Sequence, residues 1–537
     1  MRIRSKSMNE SVNRTAKRRM KKSDGGGDAI TQGRFLKDDV ELSCDVVVVG
    51  SGASGAAVAC ELAEAGQDVI VVEEGGYYRP EQYGAMRPSE TLRHLFRDGG
   101  LTFVVGLEDS PMVNMTMGRC VGGSSVLTGG VCFRIPGFIL KNWRDQQGLS
   151  MFTEEALEAA YEAVEAATHI ERVPLEMRSE STNVFALGAE RMGYELKPMH
   201  RNTKDCNGCG RCNFGCPHGA KMSVDIAYIP RALRAGARVF SDFRVDSLIT
   251  KGARAAGVEG RIYNAPGLRK PGNTFRIHSK RVVMAAGAYN TPGLLRRFGL
   301  GKQSGQLGRN MTVHPGFRMM ARFDRKLEGW KGALQSAFAD AYEDQRITLT
   351  ALYVPPGVLA ATMKGIGREH IEKAEGIPNL SIFGGMVHDD PGGQLHHVLG
   401  KTFSTYRMSP RDREAMYTIT RVMAETYFAA GAREVYLPVL GMAPVSSMDE
   451  LNKINFRSIP AKRYECSSQH PLGTTRMGVT AEHSVVNPDG QAWELDELYV
   501  VDGGIVPSSL GVNPQQAIMT LATRIAWKLR ERPLPTW

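Results

Sequence analysis

Residues 45–55, with the sequence DVVVVGSGASG, decide the fold. The four valines at 46–49 form a short apolar run, which is typical of a strand buried on both faces of a parallel sheet. The glycines at 50, 52 and 55 have the G-x-G-x-x-G spacing of a dinucleotide-binding turn. The first glycine allows the tight turn, the second lets the backbone approach a pyrophosphate, and the third lets the following helix pack on the strand.

The residues after this turn complete the pattern of a dinucleotide-binding unit. Ala56–Ala65 predicts a helix of small residues whose N-terminus faces the phosphates. Gln67–Val72 predicts the second strand, which is followed by Glu73, close to the position of the acid that binds a ribose hydroxyl. A glycine-rich turn in an ordinary α/β protein is the alternative, but it leaves Glu73 unexplained. The predicted cofactor contacts are Gly50, Gly52, Ala53, Ser54, Gly55, Glu73 and Glu74, with NAD and FAD both open.

Length and composition indicate a large globular protein with more than one core. A chain of 537 residues is too long for a single hydrophobic core, so two or more domains are expected. Its 42% hydrophobic and 23% charged residues are ordinary for a soluble protein. The longest uncharged apolar stretch, residues 46–60, is interrupted by glycine and serine, so we expect no transmembrane helix.

The positive charge is concentrated at the N-terminus. Residues 1–22 contain nine Lys or Arg and one acid, Glu10, so they supply +8 of the net +10. The rest of the chain is near neutral, which argues against a nucleic-acid partner. No hydrophobic region follows the basic residues, so they do not form a secretory signal. We expect residues 1–40 to be a basic disordered tail and linker. The alternative is that the tail holds the protein on anionic lipid, which would add peripheral membrane contact to a cytoplasmic location.

Four of the nine cysteines form a cluster with the spacing C-x2-C-x2-C-x3-C-P. These are Cys206, Cys209, Cys212 and Cys216. Bacterial ferredoxins use this spacing to hold iron–sulfur clusters. A three-ligand cluster, a distorted four-ligand cluster, a zinc site and reduced structural thiols all stay open. The other five cysteines are scattered, which is a poor disulfide framework and favours a reducing cytoplasm.

Residues 118–130, GRCVGGSSVLTGG, are too rich in glycine for regular structure and expose backbone N–H groups to a ligand. A surface hairpin is the alternative. The segment resembles the first signature of the glucose–methanol–choline (GMC) flavin oxidoreductases, in which G-R-x-x-G-G-S-S lines the flavin. Residues 285–295, AAGAYNTPGLL, are similar to the second signature. The resemblance implies FAD contacts from Arg119, Gly122, Gly123, Ser124, Thr128, Gly129, Ala286 and Gly287, and from Val245 beside the adenine. Thr128 departs from the family, where many members have Asn.

The same resemblance implies the domain organisation. Alternating runs at Phe317–Phe323 and Ile347–Val354 predict antiparallel strands, and Asp412–Ala430 predicts an amphipathic helix. The expected fold is α/β (α+β overall), with a Rossmann-like FAD-binding domain and a second, antiparallel-sheet substrate domain. Residues 41–145, 206–310 and 465–537 would form the FAD-binding domain, with 206–216 as a cysteine-rich insert. Residues 146–205 and 311–464 would form the substrate domain.

The C-terminal segment carries the predicted chemistry. Residues 470–478, HPLGTTRMG, resemble the GMC motif H-x-x-G-T-x-x-M-G. Alcohol oxidation removes a hydroxyl proton while hydride leaves carbon for the flavin, and a neutral imidazole suits the proton step. A single histidine is usually structural, but the glycine-rich run after His470 indicates the catalytic base.

Asn513 is the predicted partner of this base. Residues 511–514, GVNP, open a predicted helix that continues to about Arg530. Asn is a favoured N-cap and Pro a favoured first helical residue, so a purely structural role is the alternative. In the family this position is His or Asn and is hydrogen-bonded to the substrate oxygen, with the helix N-terminus near the flavin pyrimidine. The resemblance adds flavin contacts from Asp502, Gly503, Pro514 and Gln515.

The sequence therefore predicts an FAD-dependent alcohol dehydrogenase or oxidase acting on CH–OH groups. The cysteine-rich segment resembles segments at the same position in two GMC branches. These are the long-chain alcohol oxidases and the glucose dehydrogenase subunit that carries an iron–sulfur cluster. We expect a long-chain or hydrophobic primary or secondary alcohol. Sterol or sugar dehydrogenation through an iron–sulfur cluster and a non-redox GMC lyase are the alternatives. The electron acceptor would be O2, a quinone or a redox protein.

Overall fold

The computed structural model describes residues 30–265, 268–363 and 365–536. The predicted basic tail, residues 1–28, lies outside the described residues. The end of the predicted linker is ordered, however. Thr31–Gln32 pairs in parallel with Arg238–Ser241, and Arg34 forms an ion pair with Asp242 at 2.9 Å. These contacts attach residues 31–34 to the first sheet, which favours ending the predicted tail before residue 31.

The first sheet is built around the valine strand Val40–Val49. Its strand order is Thr31–Gln32, Arg238–Ser241, Val69–Val72, Val40–Val49, Leu268–Met284, Arg254–Ala265 and Phe243–Lys251, with Leu498–Val500 also paired to Leu268–Met284. The strands on both sides of Val40–Val49 run parallel to it, while the last two in the order form an antiparallel meander. This arrangement confirms the Rossmann-like half of the predicted fold.

The apolar run explains why this strand is central. Val46, Val47 and Val48 have no exposed surface, and Val49 is 5% exposed. Helix Ala53–Glu64 follows directly and is also buried along most of its length. Burying a valine side chain stabilises the fold by roughly 1.5 kcal/mol or more. A position of this strand at the edge or surface of the sheet would therefore be strongly disfavoured.

The second sheet has eleven strands and is mostly antiparallel, as predicted. Its order is Gly393–Val398, Lys401–Tyr406, Phe103–Gly106, Val113–Met115, Cys466–Ser468, Gly316–Arg322, Leu380–Val387, Ile347–Ala351, Ala337–Ala339 and Lys197–Pro198, with Glu434–Tyr436 also paired to Gly316–Arg322. A separate pair joins Ile170–Arg172 to His200–Asn202. The sheet thus recruits strands from widely separated parts of the chain.

Helices cover both sheets. They are Ala53–Glu64, Pro80–Ala85, Pro88–His94, Gly137–Gln147, Glu154–Thr168, Glu180–Arg191, Val224–Ala227, Ile229–Arg234, Thr291–Arg297, Pro356–Thr362, Arg368–Glu375, Pro410–Ala429, Met448–Asn452 and Gln515–Glu531. Helix Pro410–Ala429 begins with a capping box, in which Ser409 accepts from the backbone N–H of Asp412. No helix in the described ranges is long and apolar enough to cross a membrane.

Two large hydrophobic cores correspond to the two sheets. Helix Glu154–Thr168, which the sequence assigns to the substrate domain, packs with the first sheet and against Gln515–Glu531. Helix Glu180–Arg191 packs in the second core. The predicted domain boundaries stay a prediction, and this packing favours moving the first of these helices to the FAD-binding side.

Backbone breaks divide three other parts of the chain. Residues 77–110 contain the short helices Pro80–Ala85 and Pro88–His94, each with proline in its first turn. Strands Arg238–Ser241 and Phe243–Lys251 are separated at Asp242, whose φ of 64° interrupts the extended backbone. Helices Val224–Ala227 and Ile229–Arg234 meet at Tyr228. The proline at 230 begins the second of them.

Candidate active site

A cavity of about 1240 Å³ is lined by residues of both sheets. Small-molecule sites usually enclose roughly 300–1,000 Å³, so this cavity has room for a dinucleotide together with a substrate. Most of the predicted cofactor contacts line it. They are Gly50, Gly52, Ala53, Ser54, Glu73, Glu74, Gly123, Ser124, Thr128, Gly129, Val245, Ala286, Gly287, Asp502, Gly503, Pro514 and Gln515.

The glycine turn has the geometry of a phosphate cradle. Gly50 has a φ of 103°, and a Cβ there would lie 2.4 Å from the carbonyl oxygen of Ala285. A Cβ on Gly52 would meet no atom closer than 4.0 Å, and one on Gly287 would meet none within 4 Å, so both positions face open space. No side chain caps helix Ala53–Glu64, which leaves its N-terminus to an anion. The residues present therefore fit a dinucleotide pyrophosphate.

Three predicted contacts do not line the cavity: Gly55, Arg119 and Gly122. A Cβ on Gly55 would lie 2.0 Å from the carbonyl oxygen of Gly50, so this glycine serves the packing of helix on strand. The backbone of Arg119 contacts Gly75 closely, and the N–H of Gly122 donates to Ser51 Oγ at 3.2 Å. These residues support the turn from behind the cavity wall.

The two acids after the second strand have different environments. Glu73 is buried and accepts hydrogen bonds from the backbone and hydroxyl of Ser51 and from the N–H of Gly75, at 2.8–3.0 Å. Glu74 forms an ion pair with Arg97 at 3.0 Å and is partly exposed. Both line the cavity, but Glu73 also holds the turn in shape. The ribose contact of Glu73 stays a prediction.

Asp502 connects the C-terminal strand to the second signature. It is buried and accepts from the backbone N–H groups of Gly287 and Gly504, both at 2.9 Å, and from the hydroxyl of Thr291. One carboxylate therefore joins the turn at residues 502–504 to residues 287–291 of the second signature.

His470 and Asn513 lie together in this cavity. Asn513 Nδ2 donates to His470 Nε2 at 3.1 Å, which requires this ring nitrogen to carry the lone pair. Burial lowers the pKa of His470 to about 4, so the imidazole is neutral at physiological pH. A neutral imidazole on the wall of this cavity can accept a proton from a hydroxyl group once that hydroxyl takes the place of Asn513 at Nε2.

His314 and Asp389 hold the segment that leads to Asn513. His314 Nε2 accepts from the backbone N–H of Leu510 at 3.0 Å and of Gly511 at 3.2 Å. Asp389 accepts from the N–H groups of Val313 and His314 and from the hydroxyl of Ser509. Burial, with Asp412 nearby, raises the pKa of Asp389 to about 7. Asp389 belongs to no motif, so its role could not be predicted from local sequence.

The helix after Asn513 begins one residue later than predicted. Pro514 is the N-cap and the helix runs from Gln515 to Glu531. Asn513 is thus outside the helix and is not its cap. Its side chain is consequently free to contact His470.

The cysteine segment does not form a metal site in this structure. Within the described residues, no group of three or more His, Cys, Asp or Glu side chains has an arrangement that could hold a metal ion. Cys206, Cys209, Cys212 and Cys216 are all free thiols, with Cys209 exposed and Cys212 buried. The predicted iron–sulfur ligands therefore do not fit a cluster in this conformation.

Two buried cations connect Cys212 to the first signature instead. Arg201 donates through Nη2 to the sulfur of Cys212 at 3.0 Å and through Nε to the carbonyl oxygen of Gly129 at 2.8 Å. Lys221 Nζ donates to the carbonyl oxygens of Val126, Thr128 and Cys212 at 2.7–2.9 Å. The cysteine segment thus supports the loop that lines the cavity.

Comparison with known proteins identifies the family. Models described as GMC oxidoreductase match residues 45–316 and 398–522. This chain is a GMC oxidoreductase. It therefore belongs to a family of FAD-dependent enzymes that act on CH–OH groups, and its glycine cradle fits that cofactor.

Several relatives and solved structures are similar to this GMC oxidoreductase. An uncharacterised GMC-type oxidoreductase of Mycobacterium tuberculosis is 35% identical over 483 residues, which are 90% of this chain and 75% of that protein. A long-chain-alcohol oxidase of Arabidopsis thaliana is 27% identical over 515 residues, which are 91% of this chain and 67% of that protein. The pyridoxine 4-oxidase of Mesorbium loti has a TM-score of 0.69 at 18% identity, covering 91% of this chain and all of that one. At that identity the last likeness shows the fold alone.

Proposed function

We propose that this GMC oxidoreductase oxidises a primary or secondary alcohol to an aldehyde or ketone, with His470 as the base. The contact between Asn513 Nδ2 and His470 Nε2 carries the proposal. Bound FAD would supply the hydride acceptor. Gly50, Gly52, Ser54 and Gly287 would hold it along the cavity wall, and the remaining steps belong to side chains of this chain.

The two side chains have complementary tasks. His470 Nε2 would accept the hydroxyl proton as hydride leaves the carbon, because burial keeps the imidazole neutral. Asn513 would hold the ring until the substrate hydroxyl takes its place at Nε2, and would then contact the substrate oxygen. His314 and Asp389 would position Asn513 through the backbone of residues 509–511, since they contact that segment and not the substrate.

A hydrophobic, long-chain alcohol is our first substrate proposal. Phe103, Met112, Leu352, Val354 and Met386 line the cavity and give its sheet side a largely apolar surface. The Arabidopsis relatives named long-chain-alcohol oxidases also support it. Sterols and sugars are the next classes to test. Flavin bleaching by an alcohol would exclude a non-redox lyase.

His470→Ala tests the base directly. The variant should keep bound flavin but slow anaerobic flavin reduction by roughly 10²–10⁴-fold, the range of general base catalysis. This rate is measured by stopped-flow absorbance with alcohols of increasing chain length, sterols and sugars as substrates. His483→Ala, at an exposed histidine, is the matched control and should leave the rate unchanged. An unchanged rate in His470→Ala would remove this residue from the mechanism.

The electron acceptor is a separate proposal. Relatives named oxidases support O2, while a quinone or a redox protein is the alternative. The yield of peroxide per turnover in air distinguishes them. A yield close to one peroxide per alcohol supports O2, and a yield near zero with rapid dye reduction supports a dehydrogenase.

A further inference from the structure

Arg318 is a cation on the cavity wall with no hydrogen-bond or ion-pair partner among the described residues. It lies on strand Gly316–Arg322, lines the cavity, and its side chain has exposed surface there. It forms no hydrogen bond or ion pair with any residue in the described ranges. The surrounding protein nevertheless desolvates the guanidinium and lowers its pKa. Arg318 is therefore exposed to the cavity, and the protein around it partly desolvates the guanidinium.

The sheet register presents Arg318 to the substrate space. Arg318 pairs with Gly384, which in turn pairs with Thr350, so the three residues lie side by side on one face of the sheet. All three line the cavity. A Cβ at the middle position would lie 2.4 Å from the side chain of Leu352, so the glycine makes room for this apolar side chain in the cavity wall. On the same strand, Gly316 pairs with Ser467, three residues before His470.

One acid that lines the cavity acts on Arg318. Glu465 attracts the guanidinium electrostatically but does not come within the 4.0 Å of an ion pair. The hydrogen-bond donors of Arg318 are therefore available to a ligand in the cavity.

A structural role does not explain this arrangement. Arg322, on the same strand, shows what a structural arginine does here, because it forms an ion pair with Glu434 at 2.9 Å. Removing a cation from water without a partner is costly, and proteins retain such groups where a ligand supplies the opposite charge. The planar guanidinium matches a carboxylate in particular, since it can donate two parallel hydrogen bonds.

We propose that Arg318 binds a carboxylate of the substrate, so that a long-chain hydroxy acid is oxidised at His470 in preference to the neutral alcohol of the same length. The inference rests on the proposed function and names its substrate class. It makes Arg318 a specificity-determining residue that contacts the non-reacting end of the substrate. The apolar lining between the two ends would contact the carbon chain.

Matched substrates test this. Anaerobic flavin reduction is measured with terminal hydroxy acids of increasing length and with the neutral n-alcohols of the same length. At one or more lengths, kcat/KM for the acid should exceed that for the alcohol at least tenfold. Arg318→Met should lower kcat/KM for the acid by about 10–100-fold, the usual loss of a charge-assisted hydrogen bond, and leave the neutral alcohol unchanged. Arg318→Lys should retain part of the preference, and Arg322→Met should retain all of it.

The outcomes separate this inference from the proposed function. Equal rates for acids and neutral alcohols, unaffected by Arg318→Met, would overturn the inference and leave alcohol oxidation intact. If no alcohol of either kind reduces the flavin, the proposed function fails. The binding of fatty acids then tests whether Arg318 holds a carboxylate. Straight-chain fatty acids should then still perturb the spectrum of the oxidised flavin in the unmodified enzyme and in Arg322→Met, but not in Arg318→Met. Equal binding to all three would exclude a carboxylate site at Arg318.

Discussion

The pKa of His470 determines how the enzyme should respond to acid. Burial lowers this pKa from 6.5 to about 4, and the pKa of His388 falls to a similar value for the same reason. In the unfolded chain both side chains would bind protons near pH 6.5. Between about pH 6.5 and 4 the unfolded state therefore binds more protons, and these residues lower the free energy of unfolding as the pH falls through that window.

The same pKa predicts a flat rate profile in mild acid. Between pH 6 and 5 the unprotonated fraction of an ordinary histidine falls roughly eightfold. The unprotonated fraction of a group with a pKa near 4 falls by only about 10%. The rate of anaerobic flavin reduction should thus change by less than about twofold across this interval. Asp389, with its pKa raised to about 7, is mostly protonated throughout and does not interfere. A fall of about eightfold would show that His470 titrates like an exposed histidine.

At the scale of single residues, motifs predicted some contacts and missed others. His470 and Asn513 stand in recognisable sequence contexts, and the structure brings them within 3.1 Å. Asp389 and Arg318 have no such context. Their positions depend on which strands of the second sheet become neighbours, and that pairing joins residues far apart in sequence. Local spacing carries no information about it.

Among the elements, the segment before the last helix is the most constrained. Gly511 has a φ of 69°, and a Cβ there would lie 3.1 Å from the side chain of His388. Its carbonyl oxygen accepts from the hydroxyl of Thr348 at 2.9 Å, and its N–H donates to His314. The position of Asn513, two residues later, depends on this segment.

Gly511→Ala should therefore impair catalysis as well as stability. A left-handed alanine costs roughly 1–2 kcal/mol, and the contact with His388 would in addition displace the backbone next to Asn513. We expect flavin reduction to slow at least tenfold. Gly193→Ala is the matched control, because Gly193 has a φ of 83° but no atom within 4 Å of an added Cβ. It should lose similar backbone stability at an unchanged rate; equal rates in both variants would contradict the positioning role.

The cysteine segment gives a second prediction for an element. Cys212→Ala removes the acceptor of a buried Arg201 N–H and should cost about 1–3 kcal/mol, seen as a lower unfolding temperature. Cys209→Ala, at an exposed thiol, should change stability by no more than about 0.5 kcal/mol. Iron and acid-labile sulfide are measured on the anaerobically purified protein alongside. Comparable losses from all four cysteines, with bound iron, would restore the cluster interpretation.

For the whole molecule, the sequence predicted the first sheet better than the second. Apolar runs and glycine spacing are local signals, and they are sufficient for parallel strands buried on both faces. The second sheet includes pieces such as Phe103–Gly106 and Lys197–Pro198, which lie outside or at the edge of any alternating pattern. Their inclusion follows from long-range pairing and so could not be predicted from the segments themselves.

The basic segment gives a prediction at this scale. If residues 1–28 bind anionic lipid, deleting them should abolish sedimentation with phosphatidylserine vesicles, because they supply most of the net positive charge. Vesicles of neutral phosphatidylcholine and high salt are the controls. Flavin reduction by a water-soluble alcohol should be the same with and without the segment. Unchanged sedimentation after the deletion would disprove lipid binding by this segment.

The pairing of Val282–Met284 with Leu498–Val500 has a consequence for biosynthesis. Val40–Val49 covers one edge of these residues early, but the other edge is paired only by a strand that lies more than two hundred residues later in the chain. During translation this apolar strand emerges from the ribosome, with one edge unpaired, long before Leu498–Val500 is made. Open hydrophobic strand edges promote aggregation. We therefore expect soluble yield to depend on translation speed and chaperone supply.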